Sequence, residues 1–388
     1  MNFVLAAGGT GGHMIPAHAL AAELKARGHG VLLITDARGY RIPGLFKGVE
    51  VQVIPAGRLS KTPWGMLKAL RSVMEGRRAA KELYREHCPD AVIGFGGYPA
   101  FPALLAASSL KIPTVLHEQN AVLGRVNRLL ANDAAAIATA YEKVDRLKPG
   151  HAIKTNLVGN PVRASIVRLG ELPFPAFDDY APLKLLVTGG SQGATVLGEV
   201  VPAGLGELGD TLRHRLQVVQ QCRPDDIERV RDTYRELGIP AELSTYLNDM
   251  DSKLGECHLM IGRAGASTIA ELTAAGRPSI LVPLPIATDD HQTANARELA
   301  RAGGARMIPQ PQFTPHTLAR QIEALAEDPD ALSNAAARAL SVGRPHAARD
   351  LADLVERIGQ GDRPALIGRA NKKPTGAAPA LAPAGAAA

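Results

Sequence analysis

The stretch Gly8-Gly9-Thr10-Gly11-Gly12-His13 follows a short apolar run and leads into a helical pattern. Glycines between a strand and a helix let a ligand come close to the backbone. The free N–H groups of the helix end favour an anion there. Two more glycine clusters end apolar runs, at 94–97 (GFGGYP) and at 189–193 (GGSQGA). One such loop is a weak signal, because tight turns need glycine on their own account. Matched loops in two successive units point to a ligand gripped across a cleft. His13 stands at the first helix mouth, where by itself it reads as a helix-start histidine bonding the backbone.

Several chemistries do not fit these residues. Gly9-Thr10-Gly11 continues into Gly12, His13 and Met14, so the dinucleotide fingerprint GxGxxG fails, although Asp36 could imitate a ribose ligand. The chain has no GxxxxGK[ST] loop and no GxSxG elbow, which argues against a P-loop ATPase and an α/β-hydrolase. Cys88, Cys222 and Cys257 lie far apart without a CxxC pair, against a disulfide scaffold or structural zinc and in keeping with a reducing compartment. Asp249-Met250-Asp251 has the spacing of a metal-binding DxD motif. It stands where a helix should begin, and N-capping is the simpler role.

The loops must be held by strands and helices. Short apolar runs (NFVLAA, GVLLIT, VQVIP, DAVIGF, IPTVLHE) alternate with helix-length segments such as 14–27 and 64–87. After NLVGNPVR the alternation restarts with LKLLVTGG, RLQVVQQ, HLMIGR, PSILVPL and ARMIPQ. This predicts an α/β fold of two doubly wound, Rossmann-like domains, residues 1–160 and 161–343, facing a central cleft. Residues 316–359 read as helical with a break at Gly343-Arg344-Pro345, and the helix at about 344–359 is expected to pack back on the first domain. The Ala/Pro-rich tail, 362–388, reads as disordered.

With 46% hydrophobic and 21% charged residues, the 388-residue composition is that of a globular protein. The start reads as a strand rather than a signal peptide, and no apolar run reaches the roughly 18–20 residues of a membrane span. The net charge of +6 suits an anionic partner: nucleic acid, a phosphorylated substrate or a lipid surface. From Arg58 to Arg78 the sequence RLSKTPWGMLKALRSVMEGRR carries the only tryptophan, Trp64. At helical spacing Lys68, Arg71 and Arg78 share one flank beside an apolar stripe of Met66, Leu70, Val73 and Met74. Such a helix either covers the sheet with its basic face in water, or dips Trp64 and its apolar neighbours into a membrane leaflet.

Taken together, GGTGGH, GFGGYP, HEQNAVLGRVNRLLA, VGNPVR, VTGGSQGA, RAGASTIAEL and HQTANA resemble the GT-B glycosyltransferases and, within them, the MurG family. The match runs over about residues 3–309 in the family's order. It implies an inverting enzyme at the cytoplasmic face of the inner membrane, bound peripherally. The 4-hydroxyl of undecaprenyl-diphosphate-linked N-acetylmuramoyl-pentapeptide (lipid I) attacks the anomeric carbon of UDP-N-acetylglucosamine, and UDP leaves. The first domain then binds the acceptor and the anionic membrane surface, and the second binds the nucleotide sugar. Other cell-wall synthesis and division proteins are implied as partners, and nucleic acid is not. The alternatives are another GT-B enzyme of UDP-N-acetylglucosamine, such as a 2-epimerase, or a non-enzymatic UDP-sugar-binding scaffold.

The resemblance also assigns roles. His13 becomes the base that takes the hydroxyl proton, for which a neutral imidazole is suited. Glu118 is a competing base, or a group that holds a partner by hydrogen bonding. Thr10, Gly11 and Gly12 contact the donor sugar or its diphosphate, and Asn120, otherwise a turn residue, reaches the sugar. Arg163 meets the phosphates with its planar fork, and Ser191, otherwise an N-cap, joins it there. The backbone at Leu247 reads uracil, at a position where many relatives carry another aliphatic residue. Glu271, otherwise a helix-surface partner, accepts from both ribose hydroxyls, and Gln292 reads the hydroxyls of N-acetylglucosamine. Helix ends and Arg163 suffice for the diphosphate, so neither a metal nor a cofactor is expected.

Overall fold

The computed structural model describes residues 1–9, 11–41, 46–57, 62–178, 180–190, 193–328 and 330–362. Thr10, Ser191 and, apart from Asp362, the Ala/Pro-rich tail lie outside the described residues. Seven strands form the first sheet: β1 (Asn2–Ala6), β2 (Gly30–Thr35), β3 (Glu50–Val53), β4 (Ala91–Gly94), β5 (Thr114–Glu118), β6 (Ala136–Thr139) and β7 (Thr155–Leu157). Six form the second: β8 (Leu183–Thr188), β9 (Leu216–Gln221), β10 (Ala241–Ser244), β11 (Leu259–Gly262), β12 (Ser279–Leu281) and β13 (Ala305–Met307). The spatial orders are β3-β2-β1-β4-β5-β6-β7 and β10-β9-β8-β11-β12-β13, and the strand pairings are parallel.

Each order reverses direction beside its first strand, at β1/β4 and at β8/β11. The loops leaving the carboxyl ends there diverge and open a crevice. Gly8, Gly9, Gly11 and Gly12 with Phe95-Gly96-Gly97 flank the first reversal, and Gly189, Gly190 and Gly193 with Arg263-Ala264-Gly265 flank the second.

The apolar runs form buried central strands because helices cover both faces of each sheet. Leu5, Leu33 and Ile93 are fully buried. Three strands were not among the expected ones. Ala136–Thr139 lies in an alanine-rich stretch that favours helix by propensity, but pairing on both sides with β5 and β7 makes it a strand. Thr155–Leu157 and Ala241–Ser244 are short edge strands, mostly half-exposed, with little apolar signal.

The C-terminal region runs through helices Pro315–Ala326, Ala331–Ser341 and Ala347–Gly359. The last leaves the second sheet and returns to the first. Leu351, Leu354, Val355 and Ile358 join Phe3, Leu5, Leu20 and Leu24 in one core. At its edge Arg27 pairs with Asp353 (2.7 Å), Glu356 (3.0 Å) and Glu23 (2.8 Å).

Helix Pro63–His87 does not cover the first domain with its stripe of large apolar residues, the first of the two arrangements that its sequence allows. Its buried positions are Ala69, Gly76, Ala80 and Tyr84. Gly76 is required, since a Cβ there would stand 2.0 Å from the Pro55 carbonyl oxygen. The small residues bring the helix down onto the backbone and turn its large apolar residues outward. Trp64 is 82% exposed, and Met66, Leu67, Leu70 and Met74 are all more than half exposed. Lys68 is exposed beside them, while Arg71 and Arg78 pair with Glu75 (2.9 Å) and Glu82 (3.3 Å).

The seam between the last helix and β1 is testable. Leu351→Ala empties a fully buried position and should cost about 2–5 kcal/mol. Urea unfolding followed by fluorescence and circular dichroism would measure it. A midpoint equal to wild type would mean that this helix does not hold the first core.

Candidate active site

His13 lies in the first turn of helix Gly11–Ala26, half-buried, and its Nδ1 is 3.1 Å from Gln119 Oε1. Its other edge lies over the start of helix Gly97–Ser109. Gly96 and Gly97 have φ of +80° and +73°, and a Cβ on Gly97 would stand 3.3 Å from His13 Nε2. Glycine at 97 therefore serves both the left-handed backbone and the space in front of the imidazole.

Glu118 ends β5 at 2% exposure. Its Oε1 accepts from the Asn120 backbone N–H and side-chain amide, both at 3.1 Å. Its Oε2 accepts from the Gly124 N–H (2.7 Å) and the Asn127 amide (2.9 Å). These four donors occupy both oxygens and hold residues 120–127 in place, so the carboxylate organises a loop.

That loop meets the second domain. Asn295, fully buried on helix His291–Ala302, donates to Asn120 Oδ1 (3.1 Å) and accepts from the Ala121 N–H (2.8 Å). Arg128 and Arg146 reach Asp289 at 2.8 and 3.1 Å, just before that helix. Gln292, in its first turn, accepts from the Leu284 N–H at 3.0 Å.

Across the cleft, helix Ala266–Ala275 begins opposite helix Gly11–Ala26, and Ser267 donates to the Gly12 carbonyl at 3.4 Å. Two helix N-termini, one from each domain, thus face one space, an arrangement that favours a bound anion. Glu271, on the second of these helices, pairs with Arg163 at 3.1 Å. Burial pushes the Glu271 carboxyl up, against the pull of Arg163. His18, on the first helix, is held below the usual histidine range by burial and by Arg163. Leu247 is buried in the core that includes Val162, Ile269 and Leu272, next to this pair.

The structure therefore brings His13, Gly12, Glu118, Asn120, Arg163, Glu271 and Gln292 to one cleft through linked contacts. Trp64, Lys68, Arg71 and Arg78 stand apart on their own helix. Asp36 secures the glycine loop by accepting from the Gly9 (3.0 Å) and Gly39 (2.9 Å) N–H groups. Asp249 occupies the N-cap position of helix Met250–Glu256, but its side chain makes no capping bond. The sequence reading did not single out His117, Gln119, Asn127, Asn295, Asp289 or Arg128. His117, Gln119, Asn127 and Arg128 lie inside the quoted HEQNAVLGRVNRLLA stretch and Asn295 inside HQTANA, but only folding shows which polar side chains of these stretches become partners.

The family models for the glycosyltransferase family 28 N-terminal and C-terminal domains match residues 3–139 and 184–355. The chain is 60% identical over 361 residues to the UDP-N-acetylglucosamine–N-acetylmuramyl-(pentapeptide) pyrophosphoryl-undecaprenol N-acetylglucosamine transferase of Erythrobacter litoralis, covering 93% of this chain and 91% of that protein. It is 59% identical over 358 residues to the protein of the same name from Zymomonas mobilis, covering 92% of each. The crystal structure of Acinetobacter baumannii MurG is similar with a TM-score of 0.73 at 30% identity, covering 92% of this chain and 100% of that one. UDP-GlcNAc 2-epimerase from Neisseria meningitidis shares the fold, with a TM-score of 0.64 at 13% identity and coverage of 92% and 100%. The chain belongs to glycosyltransferase family 28, and within it to the MurG-type N-acetylglucosaminyltransferases.

Proposed function

We infer that this enzyme moves N-acetylglucosamine from UDP-N-acetylglucosamine to the 4-hydroxyl of the N-acetylmuramoyl-pentapeptide of lipid I, forming lipid II. The observation that carries the mechanism is the half-buried His13 at the cleft, its Nδ1 bonded and its Nε2 edge over Gly97. The acceptor hydroxyl attacks the anomeric carbon from one side and UDP departs on the other, inverting the centre. His13 Nε2 takes the hydroxyl proton. Charge on the leaving diphosphate meets the two facing helix ends, Gly11 and Gly12, Arg163, and also Thr10 and Ser191 from their loops. Glu271 receives the ribose hydroxyls, the Leu247 backbone the uracil, and Gln292 and Asn120 the sugar. No metal or cofactor is assigned a role.

The first domain, residues 1–160, is the acceptor and membrane side, and the second, 161–343, the donor side. Helices of a parallel sheet begin at the carboxyl edge, so Trp64 starts its helix on the same edge of the sheet as the His13 loop. Among the described residues no helix is long and apolar enough to cross a membrane. The exposed Trp64, Met66, Leu67, Leu70 and Met74 beside Lys68, Arg71 and Arg78 suit contact with an anionic leaflet. On this reading the enzyme works peripherally at the cytoplasmic face of the inner membrane, beside other cell-wall synthesis and division proteins. Radiolabelled UDP-N-acetylglucosamine supplied with lipid I decides the reaction: label entering the lipid supports transfer, whereas an epimerised or unchanged nucleotide sugar overturns it.

His13→Ala should lower kcat by roughly 10²–10⁴-fold, with the Kd for UDP-N-acetylglucosamine near wild type by calorimetry. Retention of most of kcat would remove His13 as the base. Glu118→Ala leaves buried donors without an acceptor, each worth about 1–3 kcal/mol, so it should lower the thermal midpoint of the ligand-free protein. An inactive Glu118→Ala with wild-type stability would restore Glu118 as a base. For the membrane face, replacing Lys68, Arg71 and Arg78 together by Ser should remove about 1 kcal/mol of binding per charge. Sedimentation with anionic vesicles should nearly disappear, and undiminished pelleting would place the contact elsewhere.

A further inference from the structure

A chain of hydrogen bonds runs from the turn between the domains to His13, and every donor and acceptor in it is determined by its neighbour. His117 is fully buried in β5, and its Nε2 is 2.9 Å from the Gly159 carbonyl oxygen. A carbonyl only accepts, so His117 carries its proton on Nε2. Burial holds this imidazole neutral, with its pKa pushed down to about 4. Its Nδ1 therefore has a lone pair, and this accepts from the Gln119 amide nitrogen at 2.8 Å. The same nitrogen donates to the His117 carbonyl at 3.0 Å, so both amide protons are in use and the amide cannot be turned round. Gln119, itself 2% exposed, is left presenting Oε1 to His13 Nδ1 at 3.1 Å. Oε1 is an acceptor only, and His13 Nδ1 must donate.

The geometry points to Gln119 and His117 as positioning residues for the transfer reaction: whenever the His13 imidazole carries a single proton they hold it on Nδ1, so that Nε2 bears the lone pair that takes the acceptor's proton. Among the described residues none hydrogen-bonds to that Nε2, and Gly97 presents it no side chain. A free imidazole can carry its proton on either nitrogen, and with the proton on Nε2 it could not act as the base from this position. The far end of the chain is as firmly set as the near one. Gly159 has a φ of +92°, and a Cβ there would stand 2.7 Å from Arg344 Cβ and 2.9 Å from Ala347 Cβ, so the turn packs closely against the start of the C-terminal helix. An amide between the two rings, in place of a carboxylate, relays orientation without adding charge beside the base.

This inference rests on the reading of His13 as the base, and two measurements separate the two. Nitrogen-15 NMR of the full-length protein with ring-labelled histidine, its signals assigned with His13→Gln and His117→Asn, reports the tautomers directly. The expected result is a protonated Nδ1 and bare Nε2 at His13, and the reverse at His117. A His13 protonated on Nε2 overturns the relay even if Gln119 variants fail to fold. Gln119→Leu should lower kcat roughly 10–100-fold, the size of loss when a metal-bound histidine is deprived of its orienting partner, while the Kd for UDP-N-acetylglucosamine stays near wild type. Because Gln119 acts through His13, adding Gln119→Leu to His13→Ala should cost no further activity. A fully additive loss would make Gln119 a general structural residue and overturn the relay. An active His13→Ala would overturn the base reading itself. An inactive His13→Ala beside a fully active Gln119→Leu would overturn the relay alone.

Discussion

The site depends on one buried carboxylate. Glu118 is almost without solvent, and among the described residues no ion pair satisfies it. Instead, four N–H donors from Asn120, Gly124 and Asn127 converge on its two oxygens. A buried charge is tolerable only when its acceptor sites are filled, and bonds from N–H groups to a carboxylate are stronger than neutral ones. The loop from 119 to 127 is therefore a fixed object. Gln119 leaves it toward His13, and Asn120 leaves it toward Asn295 of the second domain. The contact to His13 and the contact to the second domain are set by the same carboxylate.

The two sheets share one topology, and this places their chemical ends together. In a parallel sheet each following helix starts at the carboxyl edge, so the N-terminal helix ends of both domains lie toward the crevice. The Ser267–Gly12 contact shows two of them meeting. Arg163 and Glu271 lie beside that meeting point as a partly buried pair. In the proposed reaction, nucleotide binding replaces their mutual bond, with phosphate taking the guanidinium and ribose taking the carboxylate. Each charged group thus has a partner before and after binding, which avoids the cost of an isolated buried charge.

Helix Pro63–His87 shows how packing redirects a sequence pattern. A stripe of Met, Leu and Val at helical spacing normally reads as the side that covers a core. Here Ala69, Gly76, Ala80 and Tyr84 cover it, because close approach to the Pro55 backbone leaves room only for small side chains along most of that face. The large apolar residues point into solvent as one patch, too coherent to be scattered surface residues.

Much of this molecule was legible in the residues. Continuous apolar runs identified the central strands, because a parallel strand buried on both faces must be apolar throughout. Glycines at the strand ends marked the turns that border the crevice, where Gly9, Gly96, Gly97, Gly190 and Gly193 take positive φ. The family motifs then pointed to His13, Glu118, Arg163 and Glu271, which the fold gathers along one cleft. The short strands Ala136–Thr139, Thr155–Leu157 and Ala241–Ser244 were not legible, because pairing with neighbours distant in sequence formed them against weak local preference. Nor could the linear chain say what Glu118 bonds to, which nitrogen of His13 bears a proton, or which face of helix Pro63–His87 meets the sheet. Those depend on directed hydrogen bonds and close contacts between segments far apart in the chain, and such geometry comes into existence only when the segments pack.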